Sequence, residues 1–190
     1  MVRMRMNHFV VSVAAALSLL SSAGCEEQGP APVDAQFVLR VDDSIFLGVV
    51  VSEGKVEAYP CDGDESSASV GAWLRGAHTD GAFDIEHEAG ELRLVGSFTE
   101  DTLDATLTLK DGRSFEISGA AGLSEDDGLY WAAAGDYEGG WVVKDGEVRG
   151  AVIHRPTSTL SGGGSFSTSL EPLMVGGVTL QPQLLLAPSS

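Results

Sequence analysis

The chain has 190 residues, with 28 acidic side chains against 11 basic ones and a formal net charge of −17. A surface this acidic repels phosphate backbones and anionic headgroups, which excludes nucleic acid from the expected partners. Its 43% hydrophobic content is that of an ordinary globular protein and argues against disorder across the main body.

The first residues have the order of a secretory signal: Arg3 and Arg5, the apolar stretch Phe9 to Leu20, then small residues Ser21-Ser22-Ala23-Gly24. A spanning helix needs roughly 20 consecutive apolar residues. This run is broken by Ser21, Ser22 and Gly24 and stopped by Glu26-Glu27, so residues 1–24 read as a removable signal peptide. The tripeptide Ala23-Gly24-Cys25 resembles the lipobox at which bacteria acylate a cysteine and cut just before it, although Ser22 stands where an aliphatic residue is usual. The resemblance implies that lipid on Cys25 anchors the mature chain to a membrane as an exported lipoprotein of the bacterial cell envelope. Ordinary signal peptidase is the alternative, since small side chains also fill its cleavage site. The two cysteines, Cys25 and Cys61, separate these readings. An acylated Cys25 leaves Cys61 buried or reactive without a partner, whereas an unmodified one permits a Cys25–Cys61 disulfide.

Cleavage removes Arg3 and Arg5 but no acid, so the mature chain carries 19 net negative charges. About 165 residues remain, enough for one domain and not comfortably for two. Residues 25–35, with Pro30 and Pro32, read as a lipid-anchored flexible tether, and residues 36–187 as a single β domain.

From Gln36 the pattern alternates with period two, which puts successive side chains on opposite faces of a strand. Phe37, Leu39 and Val41 form one face, and the continuous apolar run Leu47 to Val51 suggests a strand covered on both sides. Phe83, Ile85 and His87 alternate with Asp84, Glu86 and Glu88, and Leu92, Leu94 and Phe98 follow. Leu103, Ala105, Leu107 and Leu109 alternate with Asp104, Thr106, Thr108 and Lys110, as in an antiparallel sheet with one wet face. Glu53-Gly54, Asp80-Gly81, Glu100-Asp101, Asp111-Gly112 and Asp145-Gly146 are pairs that tolerate the positive φ of tight turns. The expected fold is all-β: an antiparallel up-and-down meander of about 8–10 strands closed as a barrel, with a two-layer β-sandwich as the alternative. Residues 157–165 read as a loop insertion and Met174 to Leu180 as a last hairpin returning to the sheet.

A set of fragments resembles an uncharacterised family of exported or membrane-anchored bacterial β domains. They are Ala58-Tyr59-Pro60-Cys61-Asp62-Gly63, Ala72-Trp73-Leu74 with Gly76 and Asp80-Gly81, Gly128-Leu129-Tyr130, and Gly140-Trp141-Val142-Val143 with Asp145-Gly146 and Gly150. Pro60 departs from the usual Val and predicts a sheet edge or strand end, because it lacks a ladder donor. The likeness implies export and one β domain, and implies no reaction.

Candidate chemistry is sparse. Cys61 would be a nucleophile only if His78 or His154 approached it, and a buried small thiol beside Tyr59 and Trp73 is the better expectation. Asp62, Asp64 and Glu65 offer oxygens for Ca²⁺, but Ser66 and Ser67 break the EF-hand pattern and favour a solvated turn. On a strand His87 faces away from Glu86 and Glu88, so the three do not form a metal site. Glu125, Asp126 and Asp127 read as a turn ahead of a glycine. No catalytic residue, metal or cofactor is expected. Tyr59, Trp73, Tyr130 and Trp141 are the candidate ligand-binding residues, since aromatic rings both fill cores and line pockets. The expectation is a monomeric, non-catalytic envelope lipoprotein that binds a small ligand or an envelope partner. A structural or display lipoprotein without a pocket, and an enzyme whose site converges only in three dimensions, are the alternatives.

Overall fold

The computed structural model describes residues 35–185 other than 88 and 126. The expected leader, Cys25 and the tether up to Asp34 lie outside the described residues, as do Glu88 and Asp126.

The period-two segments form eight consecutive strands: β1 Ala35–Arg40, β2 Phe46–Ser52, β3 Lys55–Cys61, β4 Leu74–Thr79, β5 Ala82–Glu86, β6 Leu92–Phe98, β7 Thr102–Leu109 and β8 Ser114–Ala120. Each pairs antiparallel with the next, so the sheet is the up-and-down meander that the alternation predicts. It curls until β8 stands beside β1 and the barrel is nearly closed. At that seam the Leu39 side chain lies over Gly119, where a Cβ would come within 2.1 Å of Leu39 Cδ2.

The remaining residues build a second sheet. β9 Gly128–Ala134, β10 Tyr137–Lys144, β11 Glu147–His154 and β12 Thr159–Gly162 are followed by a separate hairpin, β13 Leu173–Val175 and β14 Val178–Leu180, and by β15 Gln183–Leu184. The second sheet runs in the order β12-β11-β10-β9-β15. Two expectations change here. Residues 159–162, read as part of a loop insertion, are the strand β12, laddered on β11 after a short 3-10 turn at Arg155–Thr157. The hairpin at Met174 to Leu180 exists but pairs only with itself, and β15 is the segment that returns to the sheet beside β9.

Turn chemistry follows the residues. Glu53-Gly54, Asp80-Gly81 and Asp145-Gly146 each place both residues at positive φ, as two-residue hairpin turns demand. Glu100-Asp101 departs from that expectation. Neither residue has positive φ, and the Thr99 hydroxyl holds the turn by accepting from the backbone N–H groups of Asp101 (3.2 Å) and Thr102 (3.1 Å).

Three apolar clusters result. The first fills the barrel: Leu47, Val49 and Val51 of β2 meet Leu94 of β6 and Leu103 and Leu107 of β7. The second lies between the outer face of β1–β3 and the second sheet, where Val38, Phe46, Tyr59 and Cys61 meet Leu129, Val142 and Ala151. This is why β2 reads as a continuous apolar run: both its faces are covered. The third covers the far face of the second sheet and contains Tyr130, Trp141, Val152 and Leu180.

Close approach of the two sheets depends on residues without side chains. A Cβ at Gly48 would lie 2.9 Å from Leu129 Cδ1, and one at Gly140 would lie 2.5 Å from the Tyr59 ring. Phe46, fully buried, is flanked by the guanidinium groups of Arg40 at 4.7 Å and Arg149 at 5.0 Å from its ring centre. Arg40 also pairs with Glu147 at 3.2 Å, tying β1 to the start of β11. Such an exposed pair contributes little, and burial of several large side chains, at roughly 1.5–3 kcal/mol each, dominates the joint. Gly140→Ala is therefore expected to lower the unfolding free energy by about 1–3 kcal/mol through overpacking. Urea denaturation checks this, and an unchanged midpoint would mean that the sheets are not held this closely.

Candidate functional site

One end of the barrel is crossed by residues 62–73, the connection from β3 to β4. Its acidic residues fold the segment on itself. Asp62 Oδ1 accepts the backbone N–H groups of Ser69 and Val70, both at 2.8 Å. Asp64 Oδ1 accepts those of Ser66 at 2.7 Å and Ser67 at 2.8 Å. These donors hold the Asp64 carboxyl down at about 2. The segment is also fastened to the second sheet: Gly150 N–H donates to Gly63 O (3.0 Å), Gly163 N–H to Asp64 O (2.9 Å) and Gly164 N–H to Glu65 O (3.1 Å). The two aspartates are turn formers, and among the described residues no group of three His, Cys, Asp or Glu side chains is placed to hold a metal ion.

Between this segment, the barrel end and β11–β12 lies a cleft of two adjoining chambers, of about 470 and 480 Å³. Gly71, Ala72, His87 and Ile153 border both. The first chamber is floored by Val70, Leu92 and Leu109, which belong to the barrel core, with Leu160 from β12 at its side. The second is walled by Tyr59 and Trp73, with Arg75, Glu86, Glu138 and Arg155 around it.

The four aromatic residues singled out in the sequence do not converge. Tyr59 and Trp73 meet, with ring centres 4.7 Å apart, on the barrel side of the second sheet. The Tyr59 hydroxyl donates to Ala151 O at 3.1 Å. Tyr130 and Trp141 are register partners whose rings occupy the opposite face of that sheet. There Phe166 packs on both, at 4.9 Å and 5.2 Å between ring centres. Trp141 is fully buried and its indole N–H donates to Gly163 O at 2.8 Å. Tyr59 and Trp73 are therefore cleft residues, and Tyr130 and Trp141 are core residues of the far face.

The indole of Trp73 differs from the other two. Trp131 Nε1 donates to Glu138 Oε1 at 3.0 Å and Trp141 Nε1 to a backbone carbonyl, but Trp73 Nε1, though buried, has no acceptor among the described residues. His87 Nδ1 on the cleft border is in the same condition. His87 follows β5 directly, and its backbone N–H donates to Leu92 O at 2.9 Å, so the strand pattern does carry it to the barrel end. Arg75, Glu138 and Arg155 carried no mark in the sequence. They come together because β4, β10 and the 3-10 turn share this end of the cleft. Arg75 lies with its guanidinium 5.1 Å from the Trp73 ring centre and pairs with Glu138 at 3.2 Å.

Cys61 is free and buried. Burial pushes its thiol up to about 12, against the opposing pull of Gly63 N–H, which donates to Sγ at 3.3 Å. Among the described residues no hydrogen bond joins it to either histidine. His78 packs edge-on against Phe98 at 4.8 Å, next to the Asp80-Gly81 turn, and His154 Nδ1 bonds Thr157 Oγ1 at 2.8 Å. In the acidic run, Asp127 is 1% exposed and bonds Lys144 Nζ at 2.6 Å and Asp145 N–H at 2.8 Å. Burial opposes ionisation of Asp127, but these donors prevail and its carboxyl lies below the usual carboxylate range. It locks the β10–β11 turn to the start of β9.

No family model, no curated protein and no solved structure matches the chain.

Two outcomes follow. Thiol reagents at neutral pH are expected to label Cys61 slowly in the folded protein carrying Cys25→Ser and at the free-cysteine rate in denaturant; fast labelling of Cys61 in the folded chain would contradict its burial. Asp127, whose native carboxyl is more acidic than its unfolded one, stabilises the fold above the usual carboxylate range and loses that effect as pH falls through its lower folded value. The stability difference between wild type and Asp127→Asn should thus be about 2 kcal/mol near pH 7 and shrink steadily below about pH 4. A pH-independent difference in denaturation midpoints would remove the ion pair from the account.

Proposed function

We propose that this chain is a non-catalytic binding protein of the bacterial cell envelope, anchored by lipid on Cys25, that holds a small ligand in the cleft beside Trp73. The carrying observation is the cleft itself: a half-open space of ligand size, floored by barrel-core side chains and walled by Tyr59 and Trp73. Ligand sites are concave, mostly apolar and furnished with a few polar groups that fix orientation. The floor of barrel-core side chains supplies the apolar part of such a site, and the rim around it is charged. Address supports the same reading. The signal-like leader, the lipobox-like Ala23-Gly24-Cys25 and the proline-bearing stretch after it suit a domain suspended from a membrane with its cleft open to the envelope space.

Native mass spectrometry of the protein extracted from membranes tests both parts. The expected mass is that of a polypeptide beginning at Cys25 plus several acyl chains, with a fraction carrying a small non-covalent ligand. An unmodified Cys25 would overturn the anchor, and uniformly ligand-free protein whose Trp73 responds to no added small molecule would overturn the binding role.

A further inference from the structure

Resting on that reading, we infer that the cleft takes a water-soluble ligand from the aqueous side of the anchored domain, and is not built to draw a lipid out of the leaflet that holds the anchor. Two independent features carry this: where the chain enters the barrel, and what surrounds the cleft. In an up-and-down antiparallel barrel successive connections alternate between the two ends. The connections β3–β4, β5–β6 and β7–β8 therefore share one end, and they supply Ala72, His87, Ala89, Glu91, Lys110 and Arg113 to the cleft. The connections β2–β3, β4–β5 and β6–β7 share the other end. So does Ala35, where the chain enters β1 as the partner of Val51, beside the Glu53-Gly54 turn. Strand β7 crosses from one end to the other in eight residues, about 25 Å of strand and, at the tilt of barrel strands, about 20 Å of height. Cys25 lies ten residues before Ala35, so an anchor there holds the end remote from the cleft. A chain of ten residues extends at most about 35 Å, and a flexible one averages about 17 Å end to end. Turning the cleft onto the leaflet would make that chain run back along the barrel, which uses up most of its reach and costs conformational entropy.

The border of the cleft points the same way. A cleft that takes lipid from a bilayer needs an apolar collar that seats in the interface, because charged groups pressed into it lose hydration. Here the border carries Arg75, Glu86, Glu91, Lys110, Asp111 and Arg155. The large hydrophobic side chains that are exposed among the described residues, Val95, Met174 and Leu184, lie elsewhere, on β6, β13 and β15. The acids and bases of the border keep their hydration only where the cleft faces water, and the apolar floor is then reached through water.

Energy transfer to a bilayer measures which end of the domain stands nearer to it. The acylated protein carrying Cys61→Ala receives one fluorophore, through Lys55→Cys at the end where the chain enters or through Lys110→Cys beside the cleft. It is added to phosphatidylcholine vesicles that carry an energy acceptor on a fraction of their headgroups. The transfer rate is expected to be severalfold higher from position 55 than from position 110. Glu100→Cys and Glu91→Cys give the same comparison should either lysine variant fail to fold. In a second arm the mature chain carrying Cys25→Ser is incubated with phosphatidylcholine vesicles and separated from them, and no phospholipid is expected to leave with it. Equal transfer from the two ends, higher transfer from position 110, or one phospholipid carried off per chain would overturn the inference while leaving an anchored binding protein. A bilayer lipid retained in the native mass spectrum would overturn it in the same way. An unmodified Cys25 would remove the anchor and this inference together, and protein that is ligand-free and answers no added small molecule would remove the binding role and the inference together.

Discussion

The apolar joint between β1–β3 and the second sheet is the constraint on which the rest depends. Phe46, Tyr59, Leu129, Val142 and Ala151 are shared between the two sheets. Without that joint the outer face of β2 would expose a hydrophobic surface, and the segment 62–73 would lose the backbone N–H donors that β11 and the residues after β12 give its carbonyls. The cleft exists because a second sheet holds a strap across the barrel end.

Space for this joint comes from what the sequence omits. Gly48 and Gly140 let a leucine and a tyrosine ring lie directly on the backbone of the facing strand. Electrostatics then sets orientation. Arg40, Arg149 and Glu147 cluster around Phe46 at one border, and Asp127 with Lys144 fixes the turn beside it. Most other ion pairs are exposed and contribute little to stability, which leaves a chain this acidic dependent on apolar burial.

Much of the fold was legible because period-two alternation is a direct record of one dry and one wet face. Leu103 to Leu109 shows it cleanly, and the unbroken run in β2 correctly announced two covered faces. What alternation does not carry is which sheet a strand joins. Nothing in the spacing separates β9 from β8, and β12, with Leu160 its one large apolar residue and glycines after it, resembles a loop until its ladder with β11 is seen. The candidate site was half legible for the same reason. Four aromatic residues stood out, but their faces depend on register. Tyr130 opposite Trp141 and Trp131 opposite Gly140 put neighbouring rings on opposite sides of one sheet. The long-range partners, Arg75 with Glu138 and Asp127 with Lys144, are set by topology, and no local pattern marks them.

The most direct test of the central claim is a pair of nuclear Overhauser contacts in the isotopically labelled protein: Tyr59 ring protons to the Gly140 α-protons, and Leu129 methyls to the Gly48 α-protons. The account predicts strong cross-peaks for both, since a methyl-sized probe at either glycine would lie within 3 Å of the facing side chain. Absence of both in a folded, well-dispersed spectrum would mean that the second sheet does not sit on β1–β3 and that the cleft does not form.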